Sequence, residues 1–424
     1  MGGRVEYLAQ SSVERLSKGR HDEAMSAINQ AIEIQCTPMV LRHAFVVALY
    51  SGYPTEELQR QASLMSFHIP QYRDYIRVRP DRPIRVGYMS SHLRAHSTAH
   101  FLLPLLESHT PDVDVYLYNL GSADETTKRM GKLGKLRPLA GMDIDLQCRY
   151  IRRDSLDVLV YLDGHLGSGM QIMERRPVPN QVSYLGYPAS TYSEAIDYRI
   201  VDAPEDGTES CAYVNPFLAF TPLVTADITP RLDGTTFGAF TNYAKVDDDT
   251  LDAWSEILDL TPNSRLTIKS QVFKDRGFAK SVERRLGADR CECRPACETR
   301  EEHIEMYNEI DITLDPIPYS GTTTTCESLH MGVPVVTLQG QTHRSRVSAL
   351  ILQDLEPSWI NSTIESYIDC AVRLASDLPD KESIRKRFNE SSITDGAKLA
   401  QKIEDVYRTI SRSTVGVRPH SLDY

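Results

Sequence analysis

Several features that would place the chain in a special class of protein are scarce or missing. Its 424 residues include only eight cysteines and no long hydrophobic run. The longest uncharged apolar stretch, 44–53, is too short to span a bilayer, which takes about 20 residues. The first residues form no apolar segment, and position 6 is not Ser or Thr. We therefore expect no membrane partner, no secretory signal and no myristoylation site.

Positive charge is also in deficit. The 47 Lys and Arg residues face 58 Asp and Glu residues, which gives a net charge of −11. This balance argues against a nucleic-acid partner, because such binding depends on cationic groups that face phosphates. A nucleotide needs only a few local donors and stays possible. Sparse cysteines indicate reduced thiols, so we expect a cytoplasmic protein, with the nucleus as an option in a eukaryote.

One cysteine cluster deserves two interpretations. Cys291, Cys293 and Cys297 lie close together in sequence, and His303 follows them. Three thiolates and an imidazole could hold zinc. However, the single residue between Cys291 and Cys293 is typical of a β-strand that buries both thiols on one face. We favour the strand, and we expect no metal ligands in the protein.

The first 80 residues read as helices. Apolar residues recur at helical spacing between Gly19 and Pro38, and a second helix is predicted over about Val40 to Tyr50. The stretch resembles the end of one tetratricopeptide repeat, a motif of about 34 residues, but no second copy follows. We expect this segment to pack on the next domain, after a proline-containing linker at 77–83.

Strands and helices then alternate, which predicts βαβ units and parallel sheets. Length alone suggests two or three domains. In the first half we predict strands at 84–89, 113–120 and 156–162, helices at 96–106 and 128–136, and a connector at 203–234. In the second half we predict strands at 237–240, 266–269, 312–314 and 333–338, helices at 249–258, 274–286, 300–308, 323–331 and 343–352, and a helical tail at 381–411.

The predicted fold class is therefore α/β, with two Rossmann-like lobes after a short helical segment. We divide the chain into a helical segment (1–80), an N-terminal lobe with connector (81–230), a C-terminal lobe (231–378) and a C-terminal helix (379–424) that returns across the lobes. Folds of this kind bind ligands at the carboxyl ends of their strands.

The segment 314–329 is the most informative part of the sequence. A strand ends near Asp315, and Gly321 with four threonines then opens a helix. Backbone N–H groups, hydroxyls and the positive end of a helix together make an anion site that would suit a pyrophosphate. Glu327, one turn later, could accept hydrogen bonds from both hydroxyls of a ribose. A threonine-rich helix cap without any ligand explains the residues equally well.

The run PYSGTTTTCESLHMGVPVVTL at 318–338 resembles the signature of the cytosolic protein O-glycosyltransferases, the O-GlcNAc transferase and SPINDLY family. Further similar segments occur in the same order, over about residues 20 to 410. They lie at 84–91, 163–165, 176–188, 238–246, 262–269 and 300–303, and they include the pair His96 and His100. The resemblance implies a glycosyltransferase-B-type fold.

The resemblance also implies roles on the donor side. Lys245 would reach the β-phosphate and stabilise the leaving diphosphate, as a cation does where negative charge grows. Glu327 would hold the ribose. The other donor-binding residues that it implies are Asn242, Arg300, His303, Gly321, Thr322, Thr323 and Thr324.

On the acceptor side, the resemblance implies His96 as the candidate general base and His43 as a second catalytic residue. His92, His165, Gly186 and Pro188 would shape the sugar and acceptor pocket. The chain departs from the family at His92, where an acidic residue is usual, and around His165. His92, His96 and His100 are spaced i, i+4 and i+8, so a metal site on one helix face is an alternative.

The implied reaction moves GlcNAc from UDP-GlcNAc to Ser or Thr hydroxyls of intracellular proteins, with inversion and without a metal or a cofactor. GDP-fucose is the alternative donor, since the SPINDLY branch shares the run at 321–328. A nucleotide-sugar-binding scaffold that has lost turnover is a second alternative, because of His92. A nucleotide-sugar epimerase is a third, against which the repeat segment and His96 argue. The partners expected are a nucleotide sugar and an acceptor protein, and a homo-oligomer is left open.

Overall fold

The computed structural model of the protein describes residues 2–52, 56, 59, 71–72, 82–205, 207–231, 234–412 and 421–423. Most of the predicted linker at 77–83 lies outside these residues. The strands, in chain order, are β1 (Ile84–Ser90), β2 (Val113–Asn119), β3 (Lys135–Pro138), β4 (Val158–Tyr161), β5 (Gln181–Ser183), β6 (Tyr198–Val201), β7 (Ser210–Tyr213), β8 (Thr235–Phe240), β9 (Ser264–Lys269), β10 (Cys291–Arg294), β11 (Ile312–Leu314), β12 (Val335–Leu338), β13 (Ile360–Asn361) and β14 (Ser421–Asp423).

The helices of the described residues are α1 (Gly2–Ser17), α2 (His21–Ile34), α3 (Pro38–Ser51), α4 (Ser97–Ser108), α5 (Glu125–Met130), α6 (Ile144–Arg153), α7 (Met170–Glu174), α8 (Asp248–Leu260), α9 (Arg276–Leu286), α10 (Arg300–Glu305), α11 (Thr323–His330), α12 (His343–Gln353), α13 (Ile364–Ser376), α14 (Lys381–Asn389) and α15 (Gly396–Arg412). None of them is long and apolar enough to cross a membrane.

The chain forms two compact units, and each is built on its own sheet. The eight-stranded unit takes its described residues from the stretches 35–49, 53–223 and 392–424. The six-stranded unit takes them from 1–34, 50–52 and 224–391. The strand pairings in both sheets are parallel, as the alternation of strands and helices predicts. The α/β class is therefore confirmed.

The eight-stranded sheet has the order β14-β7-β6-β5-β4-β1-β2-β3. Its two faces are both covered, because alternate side chains of β1 enter two different apolar clusters. Tyr88 packs on one face with Leu399 and Ile403 of α15, while Met89 packs on the other with Ile151 of α6. Burial on both faces explains why β4 reads as a nearly continuous apolar run.

The six-stranded sheet has the order β10-β9-β8-β11-β12-β13. Strand order reverses between β8 and β11, just as it reverses between β1 and β4 in the other sheet. Such switch points leave a crevice at the carboxyl ends of the strands, where ligands bind in open α/β sheets. The loops after these four strands are therefore the places to look for a site.

The N-terminal helices α1 and α2 pack against each other and against the loop that follows β8. The ring nitrogen Nε2 of His21 lies 2.8 Å from the carbonyl oxygen of Ala244. The Lys18 ammonium is 3.3 Å from the carboxylate of Asp275. The segment thus supports the loop that carries Lys245, within the six-stranded unit.

Three sequence predictions of secondary structure are wrong. Residues 128–136 are not one helix, because α5 ends at Met130 and β3 begins at Lys135 on the sheet edge. The stretch 203–234 is more than a connector, since β7 within it extends the sheet. The tail at 381–411 is two helices, α14 and α15, and they belong to different units. Gly396 begins α15 where the Pro104 carbonyl comes so close that a Cβ would lie 2.6 Å from it.

Candidate functional site

The first group of candidate residues follows β8. Asn242 caps the short 3₁₀ turn Tyr243–Lys245: its side-chain oxygen accepts a hydrogen bond from the amide of Ala244 at 3.2 Å. Its side-chain nitrogen lies 3.4 Å from the hydroxyl of Tyr50. Asn242 thus shapes the loop in which Lys245 sits.

Lys245 points across the switch point towards the loop after β11. Its ammonium donates a hydrogen bond to the carbonyl oxygen of Ser320 at 2.8 Å and lies 4.1 Å from the ring centre of Tyr319. Burial lowers the pKa of Lys245 to about 8, and the carboxylate of Asp315 opposes that shift. The lysine therefore stands beside the glycine–threonine turn, and it is mostly protonated at neutral pH.

The carboxylate of Asp315 fixes the glycine–threonine turn by hydrogen bonds. The amide of Gly321 donates to the buried carboxylate of Asp315 at 2.6 Å, and the hydroxyl of Thr337 donates to the same carboxylate at 2.7 Å. A Cβ on Gly321 would lie 2.7 Å from the hydroxyl of Thr324 and 2.8 Å from that of Thr325. Only glycine fits this turn without displacing the threonine side chains.

Helix α11 starts directly after this turn. Thr322 is the N-cap residue, yet its side chain makes no capping hydrogen bond. Thr322, Thr323 and Thr324 are half-buried, whereas Thr325 is buried and bonds Ser348 at 2.8 Å. The first amides of a helix have no intrahelical acceptor, so this end offers N–H donors and hydroxyls to an anion. The adjacent ammonium of Lys245 adds positive charge.

A second polar cluster lies one turn further along α11. The carboxylate of Glu327 is almost fully buried and accepts from Arg300 Nη2 at 2.5 Å. Nε2 of His303 lies 2.9 Å from the same carboxylate, and the hydroxyl of Tyr307 lies 3.4 Å from it. On the far side of the imidazole, the ammonium of Lys269 contacts Nδ1 of His303. The structure brings together Arg300, His303 and Glu327, which the sequence had placed near one nucleoside.

The cysteine cluster belongs to the neighbouring edge of the same sheet. Cys291 and Cys293 are buried on β10, and both point to one side, as the strand interpretation requires. Cys297 contacts the sulfur of Met306 at 3.2 Å. Among the residues that the structure describes, no group of three His, Cys, Asp or Glu side chains is placed to hold a metal.

The acceptor-side histidines lie in the eight-stranded unit, at the carboxyl end of β1. His92 sits in the turn after the strand, His96 is the N-cap residue of α4, and His100 lies inside α4. The rings of His92 and His96 stack with centres 4.2 Å apart. Nδ1 of His100 instead lies 2.9 Å from the carbonyl oxygen of Thr221. The three therefore do not line one helix face.

Gly186 lies beside this histidine pair. Its amide donates to the carbonyl oxygen of Leu162 at 2.9 Å, and the hydroxyl of Thr98 in α4 is the nearest side-chain atom in front of it. Pro188 follows two residues later and is half-buried. Both residues belong to the loop after β5, at the same edge of the sheet.

His165 and His43 occupy less open positions. His165 is buried: its Nε2 lies 2.8 Å from the carbonyl oxygen of Thr191, and its ring stacks on Phe45 at 4.1 Å. Burial lowers the pKa of His165 to about 4, so the ring is neutral at physiological pH. His43 is half-buried on α3, where burial and the charge of Arg42 lower its pKa. A cavity of about 640 Å³ adjoins these residues, with Arg42 and His165 in its wall.

Four residues with clear roles in these clusters had no assigned role in the sequence analysis: Asp163, Asp315, Tyr319 and Lys269. Asp315 holds the Gly321 turn, and Asp163 contacts His92. Asp315 comes directly after the buried parallel strand β11, and Asp163 lies two residues after the end of β4. This is the signal that could have found them, because a carboxylate at the end of such a strand faces the ligand crevice.

Comparisons with known proteins agree with this arrangement. The family model for glycosyl transferase family 41 matches residues 58–226 and 228–400. A probable UDP-N-acetylglucosamine–peptide N-acetylglucosaminyltransferase SPINDLY of Solanum lycopersicum is 34% identical over 81% of this chain, which covers 40% of that relative. A protein of Arabidopsis thaliana named as the same kind of transferase, SEC, is 26% identical over 73% of this chain and 35% of its own length.

A solved structure gives the same result. A mutant O-GlcNAc transferase of Thermobaculum terrenum superimposes with a TM-score of 0.88 and 28% identity, over 97% of this chain and 85% of that one. The predicted glycosyltransferase-B-type architecture is thus confirmed. The chain spans less than half the length of the curated plant relatives that it matches. With a family model that covers most of its length, the chain belongs to glycosyl transferase family 41.

Proposed function

We propose that this protein transfers GlcNAc from UDP-GlcNAc to Ser or Thr hydroxyls of other proteins. The observation that carries the proposal is the switch point of the six-stranded sheet. There the ammonium of Lys245 stands beside the Gly321 turn and the N-terminus of α11. This arrangement supplies positive charge and N–H donors to a diphosphate, which is the leaving group of a nucleotide sugar.

The donor would lie along α11 from its first turn to Glu327. The amides and hydroxyls of Thr322, Thr323 and Thr324 would hold the pyrophosphate, and Lys245 would face the β-phosphate. Arg300, His303 and Tyr307 all contact the carboxylate of Glu327, which has about four lone-pair sites for hydrogen bonds. These partners fix the carboxylate in place, and in this proposal it also accepts from a ribose hydroxyl.

In this proposal the acceptor hydroxyl attacks the anomeric carbon from the side opposite the diphosphate, which inverts that centre. Lys245 and the end of α11 offset the charge that grows on the leaving oxygen. They supply what a divalent cation supplies in other transferases, so we expect transfer without added metal and without a cofactor. His92, His96 and Gly186 form the acceptor side in the eight-stranded unit.

The donor is the finer part of the proposal. The relatives that carry the name SPINDLY are 32–34% identical to the chain, against 26% for SEC, and the run at 321–328 is the one expected of the SPINDLY branch. GDP-fucose is therefore the second candidate donor. Protein acceptors are proposed because the relatives are named as peptide transferases, and a nucleotide-binding scaffold without turnover is the remaining alternative.

Two measurements test the proposal. Calorimetric titration with UDP and with GDP compares the two bases directly; we expect UDP to bind at least tenfold more tightly, and the reverse order would transfer the assignment to GDP-fucose. Incubation with radiolabelled UDP-GlcNAc and a mixed protein extract then tests transfer, with Lys245→Met as the matched control. Label that depends on Lys245 supports a transferase. If the protein binds UDP but transfers label neither from UDP-GlcNAc nor, in a parallel incubation, from labelled GDP-fucose, the scaffold remains as the explanation.

A further inference from the structure

The carboxyl edge of the eight-stranded sheet holds two stacked histidines and a buried carboxylate, and these three groups have different chemistry. We propose that His92, oriented by Asp163, accepts the proton of the acceptor hydroxyl, and that Nε2 of the neighbouring His96 serves the acceptor only as a hydrogen-bond donor. This inference rests on the proposed glycosyl transfer for its function. Its structural part, the hydrogen positions on the two rings, does not depend on that transfer.

Asp163 is a fixed carboxylate behind His92. It lies two residues after the end of β4, its side chain is 1% exposed, and one of its oxygens lies 3.4 Å from Nδ1 of His92. The hydroxyl of Ser90 donates to it at 2.5 Å and the amide of Ser91 donates at 2.6 Å. A Cβ on Gly167 would come within 2.3 Å of its other oxygen, so glycine leaves the space that this carboxylate occupies.

The neighbour of each Nδ1 atom decides where the ring carries its proton. Nδ1 of His92 and Asp163 are at ion-pair distance, 3.4 Å, without a direct hydrogen bond, and the negative charge of the carboxylate favours a proton on Nδ1. The neutral ring of His92 then has its lone pair on Nε2, where a base needs it. The side chain is 24% exposed, so an acceptor hydroxyl can reach that atom.

His96 has the opposite neighbour. Its Nδ1 accepts a hydrogen bond from the backbone amide of Thr98 at 3.3 Å, which caps α4. The hydroxyl of Thr98 lies 3.2 Å from the same atom and can also donate to it. An amide N–H only donates, so the cap requires an unprotonated Nδ1, and the neutral ring then carries its proton on Nε2. That atom is a donor. His96 would have to give up its cap to become a base there, whereas His92 is ready as it stands.

The proposed step balances as follows. The proton of the Ser or Thr hydroxyl passes to Nε2 of His92 while the hydroxyl oxygen bonds to the anomeric carbon. The bond from that carbon to the diphosphate oxygen breaks, and the diphosphate leaves with the electron pair. Asp163 offsets the charge of the His92 imidazolium, and solvent then takes the proton. General bases contribute about 10²- to 10⁴-fold to such rates.

This arrangement explains how the chain can have a histidine at position 92, where the family usually has an acidic residue. The acidic group usual at position 92 is absent, but a buried carboxylate stands directly behind the histidine that replaces it. The pair Asp163–His92 has the same order of groups as an Asp–His pair that orients an imidazole for proton transfer. We therefore expect an active enzyme rather than a weakened one.

Nitrogen-15 NMR of histidine-labelled protein tests the proton positions without any turnover, with the His92→Gln and His96→Gln variants to assign the two signals. We expect Nδ1–H for His92 and Nε2–H for His96. The opposite pattern would overturn the inference even if transfer were robust. If no transfer were found but the pattern held, the proposed function would fail while the orientation of His92 stood.

Kinetics test the role in transfer. We expect His92→Ala to lower kcat at least 100-fold with unchanged UDP affinity, to lose the acidic limb of the pH profile, and to regain activity with added imidazole. His96→Ala should mainly raise KM. Asp163→Asn should lower kcat and shift the acidic limb of the pH profile. The affinity of this variant for UDP serves as the control that the protein is still folded. Full activity of His92→Ala, together with loss of the acidic limb in His96→Ala, would refute the proposal.

Discussion

The protonation of Lys245 makes a quantitative prediction about nucleotide binding. A diphosphate binds the ammonium form of this lysine, and burial lowers its pKa to about 8 in the protein without ligand. With a pKa of about 8, about nine-tenths of the molecules carry the charged form at pH 7 and about one-tenth do at pH 9. The apparent affinity for a ligand scales with the fraction of molecules that can bind it. The apparent Kd for UDP should therefore rise about tenfold between pH 7 and pH 9.

The sign follows from the direction of the shift. Because the pKa of Lys245 is lowered, its charge is lost as the pH rises through about 8, so affinity falls on the alkaline side. A lysine with an ordinary pKa of about 10.4 would show almost no change over this range. Arginine keeps its charge at every pH used, so Lys245→Arg is the matched control.

Calorimetric titration with UDP at pH 6.5 to 9.5 measures this difference. UDP has ionisations of its own, but they affect the wild type and the Lys245→Arg variant equally, so the ratio of the two dissociation constants isolates the lysine. We expect this ratio to change about tenfold from pH 7 to pH 9. Parallel curves for the two proteins would refute the idea that a buried, partly neutral lysine meets the diphosphate.

Three further predictions concern other parts of the molecule. Gly321→Ala should weaken UDP binding at least tenfold and also lower thermal stability, because its Cβ would lie 2.7 Å from the hydroxyl of Thr324 and 2.8 Å from that of the buried Thr325; unchanged calorimetric affinity would contradict the assigned pyrophosphate site. Glu327→Gln should weaken binding of UDP more than binding of inorganic pyrophosphate, since the carboxylate is assigned to the ribose; equal losses would remove that role. Glu404 is held by His109 and Thr110 in the eight-stranded unit, and its partners lower its pKa from 4.5 to about 2. Its charge stabilises the folded state above pH 4.5, and this contribution is lost as the pH falls towards 2. Urea unfolding of Glu404→Gln should therefore show a loss of about 3 kcal/mol at pH 7 that shrinks near pH 3, and an equal loss at both pH values would refute it.

The sequence predicts the fold of this protein in most respects, because both sheets are parallel and buried. Runs such as 156–162 are apolar except for Asp157 and are flanked by helices, so the alternation of strand and helix is visible in the sequence. The errors fall where that contrast fades. The edge strand β3 carries Lys135 and Arg137, which bond Asp114 and Asp154, and its basic residues read as a helix. Short strands at sheet edges have too few apolar residues to be predicted as strands from the sequence.

The candidate site could be predicted in part. Gly321 and the threonines after it drew attention because such residues are unusual at a helix start, whereas the role of Lys245 came from the family resemblance alone. The hydrogen-bond neighbours were not found. Nothing in the local sequence shows that Asp163 stands behind His92, or that an amide caps α4 through His96, because those contacts depend on how separate loops meet. The choice between the two histidines needed the three-dimensional structure.

The chain passes between the two units several times, and this has a consequence for how the protein is made. The core of the eight-stranded unit includes Leu399, Ile403 and Tyr407 of α15, which are synthesised after the whole stretch 224–391 of the six-stranded unit. During translation, this face of strands β1 to β7 is covered by α4 but lacks α15 until the other unit has been synthesised. Exposed apolar surface of this kind attracts chaperones and promotes aggregation. A variant that ends at residue 391 would lack α15, and the part of the apolar face that α15 covers would stay exposed.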